Sequence, residues 1–335
     1  MTSQVLRPGK LPTRLLRQLL ETGHPPPAEL LLPPAVGEDA CAIEIQGGAL
    51  IVATDPITLT GREIGAHAVV INANDVAVMG VRPRWFLAAV LLPLGTTARE
   101  VEALFKGMYV ALDRLGVTLV GGHTEITSAV VQPVVVGQML GFQSDGRFIR
   151  TAGMRAGDII LQVGLAPVEG AAVLANEAKE QLSGLAPELL TQARLGVDDP
   201  GISIVEPALR AAASGATALH DPTEGGLSAG LYELAEASEL GLRVEPDAAL
   251  WFEPGRAICS ALGVDPWGVL ASGTLLASFP EETADRAQAV LNAEGYPTTS
   301  LACGEVGSRV YAPDGSILRR YEQDEVSRIL GEVRS

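Results

Sequence analysis

Residues 69–79 read VVINANDVAVM, and this stretch decides how the first half of the chain folds. It belongs to a small and aliphatic segment of helical length, over about residues 62–79, which a glycine follows directly. Asn72, Asn74 and Asp75 interrupt the segment, although such side chains disfavour helix interiors because they compete for backbone hydrogen bonds. We expect a helix end that points Asn74 and Asp75 at a charged ligand; a satisfied polar network between helices is the alternative.

Apolar strands elsewhere in the chain stop at acidic residues that are flanked by Gly, Pro or Thr. One such strand ends at Asp55, a second runs into His123-Thr-Glu125, and a third ends at Asp221. The acidic turn Gly37-Glu-Asp39 precedes the first strands. In α/β proteins ligands bind at the carboxyl ends of strands, whereas single acidic residues also serve as ordinary turn and cap residues. The repetition of the pattern favours a ligand site.

Four aspartates are candidates for one shared site: Asp39, Asp55, Asp75 and Asp221. Two carboxylates about 6 Å apart repel each other by roughly 3 kcal/mol at an effective permittivity of about 20. A divalent cation, together with the polyphosphate that it carries, removes this repulsion, and oxygen ligands favour Mg²⁺ over Zn²⁺. We therefore expect these carboxylates to hold Mg²⁺, provided that they meet in space.

The charge of the chain excludes several classes of binding partner. Among 335 residues, 40 acidic residues outnumber 24 basic ones, which gives a net charge of −16. Such a chain repels polyanions, so we expect neither nucleic-acid binding nor attachment to an anionic membrane. No apolar run approaches the ~18 residues of a membrane helix, and no signal-peptide pattern opens the sequence. These features predict a cytoplasmic protein.

The motifs that are absent exclude several classes of enzyme. The sequence contains no Walker A motif, no GxGxxG and no GxSxG elbow, which disfavours P-loop NTPases, protein kinases and Rossmann dehydrogenases. Three scattered cysteines without a CxxC pair disfavour a disulfide framework or a zinc knuckle, and Cys41 is interpreted as a core residue. Any bound phosphate must then be held by carboxylate-bound metal and backbone amides, with arginine assisting.

The order of predicted elements indicates an α/β protein with two domains. Helical patterns alternate with short apolar runs, for example the helix over about residues 98–115 and the strand over 159–163. The pattern restarts near the middle of the chain, which predicts domains over residues 1–155 and 156–335. Residues 184–200, with two glycines and two prolines, are predicted to form a loop.

Five motifs occur in one order along the sequence. They are GEDA at 37–40, TD at 54–55, NANDVAVMG at 72–80, GGHT at 121–124 and DPTEGGL at 221–227. This series resembles the ATP-dependent superfamily of aminoimidazole ribonucleotide (AIR) synthetase, PurM. Its members include the hydrogenase maturation protein HypE, selenophosphate synthetase and thiamine-monophosphate kinase. The similarity covers nearly the whole chain.

The resemblance implies a fold, cofactors and a subunit arrangement. It implies an N-terminal α/β domain whose sheet pairs with that of a second subunit to form a dimeric barrel, followed by a C-terminal α/β domain. ATP with Mg²⁺ is expected in the cleft near the N-terminal domain. The γ-phosphate is expected to go to an oxygen of the substrate, as in a phosphotransferase or a cyclo-ligase.

The resemblance also distributes roles over the motif residues. As metal ligands it implies the four aspartates named above. His123 is expected to donate to the transferring phosphate or to act as acid or base, and Glu224 is the second catalytic candidate. The expected nucleotide-binding residues lie on the same motifs: Thr54, Asn74, Gly121, Gly122, Thr124 and Thr223. The loop Gly164–Gly170 opens a helix and is expected to cradle an anionic group of the acceptor, a plain connection being the alternative.

Within the superfamily, the DPTxGGL and NDxAxMG patterns look most like HypE and its unassigned homologues. HypE carries a reactive cysteine at the end of its tail, whereas no cysteine follows Cys303 here, and Glu224 stands where HypE usually has arginine. Four interpretations of the function of the chain stay open. They are an ATP-dependent enzyme that activates an amide-, carbamoyl- or phosphate-type oxygen, a thiamine-monophosphate-kinase-like phosphotransferase, a nucleotide-binding accessory of a maturation partner, and a structural dimer without catalysis.

Overall fold

Two mixed six-stranded sheets organise the chain, one in each half. The structure is a computed structural model, and it describes residues 11, 13–21, 26–58, 63–321 and 323–333. Helices pack against both sheets, so the α/β prediction with two sheet-containing domains is confirmed. The predicted boundary between residues 155 and 156 falls between the two sheets and stays a prediction.

The described residues of the first half form three helices and six strands. In chain order they are α1 (Thr13–Glu21), β1 (Leu30–Leu32), β2 (Cys41–Ile45), β3 (Gly48–Ile57), α2 (Ile64–Ala77), β4 (Pro83–Leu92), α3 (Ala98–Leu115), β5 (Thr118–Ile126) and β6 (Val134–Gln143). The strand order is β1-β2-β3-β6-β4-β5, and only β4 and β5 are parallel neighbours. Cys41, which was predicted to lie in the core, is only half-buried at the start of β2.

The helix predicted over residues 62–79 is α2, and it is buried almost all round. It packs against β3 and β6 on one side and against α3 and the second half of the chain on the other. A helix that is enclosed in this way can be apolar on every face, which explains why its sequence lacks an amphipathic stripe. Its polar residues therefore need partners inside the protein.

In the second half, seven helices and six strands are formed by the residues that the structure describes. In chain order they are β7 (Ile159–Val163), α4 (Val168–Glu177), α5 (Pro187–Leu195), α6 (Val205–Ala213), β8 (Ala218–His220), α7 (Gly226–Ala237), β9 (Gly241–Val244), α8 (Glu253–Leu262), β10 (Leu275–Phe279), α9 (Glu281–Ala293), β11 (Thr298–Glu305), β12 (Val310–Tyr311) and α10 (Glu325–Val333). The strand order is β12-β9-β11-β7-β10-β8. Strands β7 and β8 both run antiparallel to β10, so they end at the same edge of the sheet.

The predicted loop over residues 184–200 is wrong for its middle part, because α5 occupies Pro187–Leu195. Pro187 stands at the first position of this helix, where its fixed φ is favourable and its missing N–H costs nothing. Proline thus marks the start of a helix here rather than a continuous loop.

One hydrophobic core runs through both halves. It contains Phe86 and Met139 of the first sheet together with Leu161 and Phe279 of the second. The two sheets are therefore packed as parts of one structure. Within the described residues, no helix is both long and apolar enough to cross a membrane.

The outward face of the first sheet lacks a helical cover. Along β6, residues alternate between fully buried positions, which face α2, and partly exposed positions on the opposite face. Most partly exposed positions carry apolar side chains, among them Val136 and Leu140, although Gln138 lies between these two, and β4 contributes Leu87 and Leu91. Strand β5, at the edge, is exposed along nearly its whole length.

Candidate active site

The segment between β1 and β2 brings Asp39 against the second half of the chain. Gly37 has a φ of +87°, and a Cβ atom there would lie 3.0 Å from Cβ of Ala237 on α7. Only glycine fits this approach, because both the left-handed backbone and the lack of space disfavour a side chain. Glu38 fixes the turn, since its carboxylate accepts a hydrogen bond from the backbone N–H of Thr151 at 3.1 Å. The result is that Asp39 reaches the end of β8.

His220, the last residue of β8, lies between two carboxylates. Its Nδ1 is 2.9 Å from Oδ2 of Asp39, and its Nε2 is 2.9 Å from Oε2 of Glu233 on α7. The ring is 3% exposed. Burial by itself lowers the pKa of His220, but the charges and hydrogen bonds of Asp39 and Glu233 outweigh it and raise the pKa well above the usual value. His220 thus links the two halves of the chain, and its two acidic contacts favour the protonated form of the ring.

Asp221 follows His220 directly and completes a compact group of ligand atoms. One donor atom from each of Asp39, His220 and Asp221 lies within 4.8 Å of the others. No other three His, Cys, Asp or Glu side chains bring such atoms as close in the part of the chain that the structure describes. Asp221 is 3% exposed, so its charge is largely withdrawn from water. Two carboxylates from different halves thus meet at one point.

The donor set suits a hard divalent cation. Both nitrogens of His220 already bond to carboxylates, which leaves oxygens of Asp39 and Asp221 as ligands. Carboxylate oxygens are the ligands that Mg²⁺ prefers, and Mg²⁺ commonly takes one or two of them while it keeps water and phosphate oxygens. The residues present therefore fit Mg²⁺.

The other two predicted aspartates do not join this group. Asp55 is half-buried on β3, and its backbone is held by Asn72 of α2, whose carboxamide bonds to both its N–H (2.8 Å) and its C=O (3.2 Å). Asp75 lies one turn beyond Asn72 and is buried. The expected meeting of all four carboxylates is thus limited to Asp39 and Asp221, and the metal-binding roles of Asp55 and Asp75 stay predictions.

Asn74 has partners other than a ligand. Its Oδ1 accepts a hydrogen bond from the backbone N–H of Ile204, and its Nδ2 donates one to the backbone C=O of Ile202, both at 2.9 Å. The side chain is completely buried. The expectation that Asn74 points at a charged ligand is wrong, because the side chain forms the satisfied polar network that was the alternative.

The predicted site residues on the turns, Thr54, Thr223 and Glu224, differ in their exposure to solvent. Thr54 is exposed and donates its hydroxyl hydrogen to the C=O of Gly137 across the β3–β6 pair, at 2.8 Å. Thr223 and Glu224 are half-buried in the turn between β8 and α7. The backbone oxygen of Thr223 accepts hydrogen bonds from Gly226 and Ala271, which fixes the turn beside Asp221.

The GGHT motif lies on the exposed edge strand. It continues β5 instead of following it, and His123 is part of a cavity of about 210 Å³ with Phe105 and Leu119. A Cβ atom on Gly122 would lie 2.2 Å from the backbone oxygen of Ala88, so glycine allows β5 to approach β4. His123 Nε2 is 3.4 Å from Oε2 of Glu125, and this exposed pair is separate from Asp39 and Asp221. Gly121 and Thr124 line the same cavity.

The loop Gly164–Gly170 lacks the features of an anion cradle. Pro167, which has no N–H, is the residue before α4, and the N–H of Gly170 donates to the C=O of Leu270. The first turn of the helix carries the carboxylate of Glu169. A negative charge placed there disfavours an anion, and the expected cradle for an anionic group of the acceptor stays a prediction.

Comparison with known proteins assigns the chain to a family. The N-terminal domain of AIR synthase related protein matches residues 37–143, and the C-terminal domain of AIR synthase related protein matches residues 155–311. The chain belongs to the AIR synthase related family. It is HypE-like: it is 30% identical to the carbamoyl dehydratase HypE of Azotobacter vinelandii over 80% of this chain and 78% of that protein.

Solved structures share the PurM-like fold of this AIR synthase related chain. The HypE–HypF complex matches with a TM-score of 0.72 at 21% identity, covering 85% of this chain and 94% of the other. A hydrogenase maturation protein HypE in complex with ATP matches with a TM-score of 0.66 at 24% identity, covering 88% and 92%. At these identities the likeness concerns the fold.

Sequence reasoning missed two residues of the site in this AIR synthase related chain. His220 is the residue before Asp221, so the rule that strands end at ligand sites already pointed to its position. Glu233 lies 13 residues later on α7, and only the packing of α7 against the end of β8 brings it to the ring. The available signal for His220 was a buried histidine at the end of a strand. No signal in the sequence pointed to its acidic partner, Glu233.

Proposed function

We propose that the chain is a Mg²⁺- and ATP-dependent enzyme that activates an amide-, carbamoyl- or phosphate-type oxygen of a small acceptor by phosphorylation. The observation that carries this proposal is the meeting of Asp39 and Asp221, from different halves of the chain, beside the imidazolium of His220. Phosphoryl transfer depends mainly on positioning and on neutralisation of charge, and this site offers both. The ATP complex of a HypE with the same fold supports the choice of nucleotide.

Asp39 and Asp221 would hold the Mg²⁺, which when bound neutralises the charge of a triphosphate. The protein prepares this position before any ligand arrives. Glu233 and Asp39 hold the ring of His220 from both sides, so the ring cannot rotate away without losing a charged hydrogen bond. A protonated ring would balance part of the negative charge of Asp39 in this largely buried site.

Glu224 is the proposed proton acceptor for the acceptor group. It lies three residues after Asp221 on the fixed turn between β8 and α7 and keeps partial contact with solvent. A half-buried carboxylate on the same turn as a proposed metal ligand can take a proton from an attacking oxygen. Thr54 and Thr223 are the proposed hydroxyl groups for phosphate binding.

We further propose a homodimer that forms through the first sheet. The uncovered apolar face with Leu87, Leu91, Val136 and Leu140, together with the open edge of β5, supports a second copy of the sheet at this place. In such a dimeric barrel the GGHT residues, including His123, would face the partner subunit. Their proposed roles in phosphate binding and in proton transfer therefore belong to the dimer.

The proposal is tested by Mg²⁺-dependent ATP binding. Asp39→Asn and Asp221→Asn should each weaken ATP binding by about tenfold or more in the presence of Mg²⁺, since even indirect support of a metal ligand is worth about 10–100-fold. Isothermal titration with and without Mg²⁺ measures this, and Asp247→Asn, an exposed aspartate on the far side of β9, is the matched control. Unchanged affinity in both site variants would contradict the metal assignment.

A second candidate function is a nucleotide-binding accessory of a maturation partner. It is favoured by the existence of a HypE–HypF complex with this fold. The two functions differ in where ADP is formed. Release of ADP from the chain with a small amide or carbamoyl compound supports the enzyme, and release only with a partner protein supports the accessory. A thiamine-monophosphate-kinase-like enzyme would instead consume thiamine monophosphate.

A further inference from the structure

After β12 the chain lies along α7. Residues 318–321 and 323–326 form this segment, the C-terminal strap. Three side chains of α7, each one turn apart on one face of the helix, bond to the strap. The contacts are Tyr232 with the C=O of Leu318, Ser228 with the C=O of Arg319, and the carboxylate of Glu236 with Arg320. Because α7 also brings Glu233 to the ring of His220, the strap is bound to an element of the candidate active site.

The strap is anchored in the interior of the second half of the chain. Tyr321 is buried, and its ring covers Gly268, where a Cβ atom would lie 2.4 Å from the ring. The hydroxyl of Tyr321 donates to Oδ2 of Asp265. Val326 and Ile329, where the strap continues into α10, belong to the hydrophobic core. The strap is therefore a fixed part of the structure.

The turn between β8 and α7 ends in two glycines. Gly225 and Gly226 have φ angles of +81° and +69°, and glycine has the largest conformational freedom to lose when it is fixed. The N–H of Gly226 donates to the C=O of Thr223 within the turn itself. The N–H of Gly225 donates instead to Oδ2 of Asp324 in the strap, at 2.7 Å. The strap thus restrains the turn that carries Asp221.

Asp324 uses its two carboxylate oxygens for two different purposes. Oδ1 accepts a hydrogen bond from the N–H of Val326 at 2.7 Å, which is the bond of an N-cap residue to the second residue of its helix, α10. Oδ2 accepts the bond from Gly225, 99 positions away in sequence. Burial raises the pKa of Asp324 to about 7, although the two hydrogen bonds lower it. A cap needs only one oxygen, which serine supplies without a buried charge, so the carboxylate is explained by its bond to the turn.

We propose that Asp324 is a positioning residue for Asp221, and that the C-terminal strap acts on the geometry of the site through it. The connection runs from the anchored strap to Gly225 and along the turn to Asp221. The inference rests on the proposed function, because it assigns Asp324 to the support of a proposed Mg²⁺ ligand. It makes the affinity for ATP with Mg²⁺ depend on a residue that is not itself a proposed ligand.

Asp324→Ser separates the two bonds, because a serine hydroxyl can cap α10 but offers one oxygen in place of two. In the full chain, hydrogen exchange of the peptide that contains Gly225 should become faster by about tenfold or more, the ratio for one lost hydrogen bond to a charged group. Residues 326–333 of α10 should keep their protection. Unchanged exchange at the turn would overturn the proposal. Loss of protection in α10 would assign Asp324 to the helix cap and overturn it as well.

The effect on the metal ligand is measured by titration of ATP in saturating Mg²⁺. Asp324→Ser should weaken ATP binding by about tenfold, because residues that support a metal ligand are typically worth about 10–100-fold. In the Asp221→Asn background the same substitution should change the affinity by less than about twofold, since a residue that acts through Asp221 then has no ligand to position. A merely structural role would give the same loss in both backgrounds and would contradict the proposal.

Asp314→Ser is the matched control. Asp314 makes the same bond to an N–H two residues later, that of Ser316, at 2.9 Å, but it is exposed and lies outside the strap. The control should leave exchange at the turn and ATP affinity unchanged. If Asp324→Ser does not fold, Ser228→Ala takes its place, because it releases the strap from α7 and leaves Asp324 intact. Unchanged ATP affinity in Ser228→Ala would then overturn the proposal.

The same titrations separate this proposal from the proposed function. If Asp221→Asn weakens ATP binding and Asp324→Ser does not, the positioning role of the strap fails and the proposed function stands. If Asp221→Asn leaves ATP affinity unchanged, the proposed function loses its metal ligand, and the positioning role fails with it.

Discussion

His220 shows how one side chain can make two half-buried carboxylates compatible. Asp39 and Glu233 lie on opposite sides of its ring, and each nitrogen serves one of them. A neutral imidazole has only one N–H, so it cannot donate to both carboxylates, whereas an imidazolium can. The charge of the ring is therefore part of the structure of the site, and it is present before a metal ion or a nucleotide binds.

Asn74 provides the first prediction, at the scale of a single residue. Asn74→Ala would leave the N–H of Ile204 and the C=O of Ile202 without their partner, and each buried polar group left unsatisfied costs about 1–3 kcal/mol. Thermal unfolding should show a clear loss of stability. Mg²⁺-dependent ATP binding should weaken as well, because Asn74 holds the second half of the chain against the first.

Asn292→Ala is the control for this prediction. Asn292 makes the same pair of bonds to the N–H and C=O of a single residue, Thr298, entirely within the second half. It should cost some stability without changing ATP affinity. Equal effects of the two variants on ATP affinity would contradict the role of Asn74 in joining the halves.

At the site, the sequence was sufficient to predict which residues take part, but not which residues they contact. Asp39 and Asp221 were found because each follows a recognisable turn or strand end, and strand ends are local features. Asn74 was assigned to a ligand because a buried carboxamide in a helix needs partners, and nothing local shows that a backbone segment 128 residues away supplies them. Long-range partners are set by packing, which no single motif encodes.

At the scale of elements, the edge strand β5 makes a prediction about assembly. A lysine on an exposed edge strand hinders pairing with another strand, because its charge would be buried. Val120→Lys, on β5, should therefore convert the proposed dimer into a monomer, with the chain otherwise folded. Light scattering coupled to size exclusion measures the change from twice the chain mass to once.

Val306→Lys is the matched control, since Val306 is 89% exposed in the segment after β11 and should leave the mass unchanged. A wild-type chain that is monomeric at all concentrations would contradict the dimer.

The exposure of β5 could not be predicted from the sequence, because the GGHT motif is typical of a break after a strand, although the strand continues through it. The helix predicted over about residues 98–115, by contrast, is α3, and local signals lie at its ends, namely Thr97, Glu100 and Gly116.

At the scale of the whole molecule, the shared core predicts cooperative unfolding. Because one hydrophobic core contains residues of both sheets, neither half can lose its packing alone. Differential scanning calorimetry should show a single transition whose calorimetric and van't Hoff enthalpies agree. Arg82→Ala should keep this single transition, since the Arg82–Glu206 pair between the halves is exposed and worth at most about 1 kcal/mol. Two resolved transitions in the wild type would contradict this prediction.

The bond pattern of Asn74 has a consequence for the evolution of relatives. The side chain of Asn74 forms hydrogen bonds only with main-chain atoms of positions 202 and 204. Every amino acid except proline offers the same atoms there. Mutations at those positions therefore need no compensating mutation at position 74. In an alignment of relatives, position 74 should then be an invariant asparagine, whereas the residue types at positions 202 and 204 should vary independently of it. Covariation methods would then miss one of the contacts that unite the molecule.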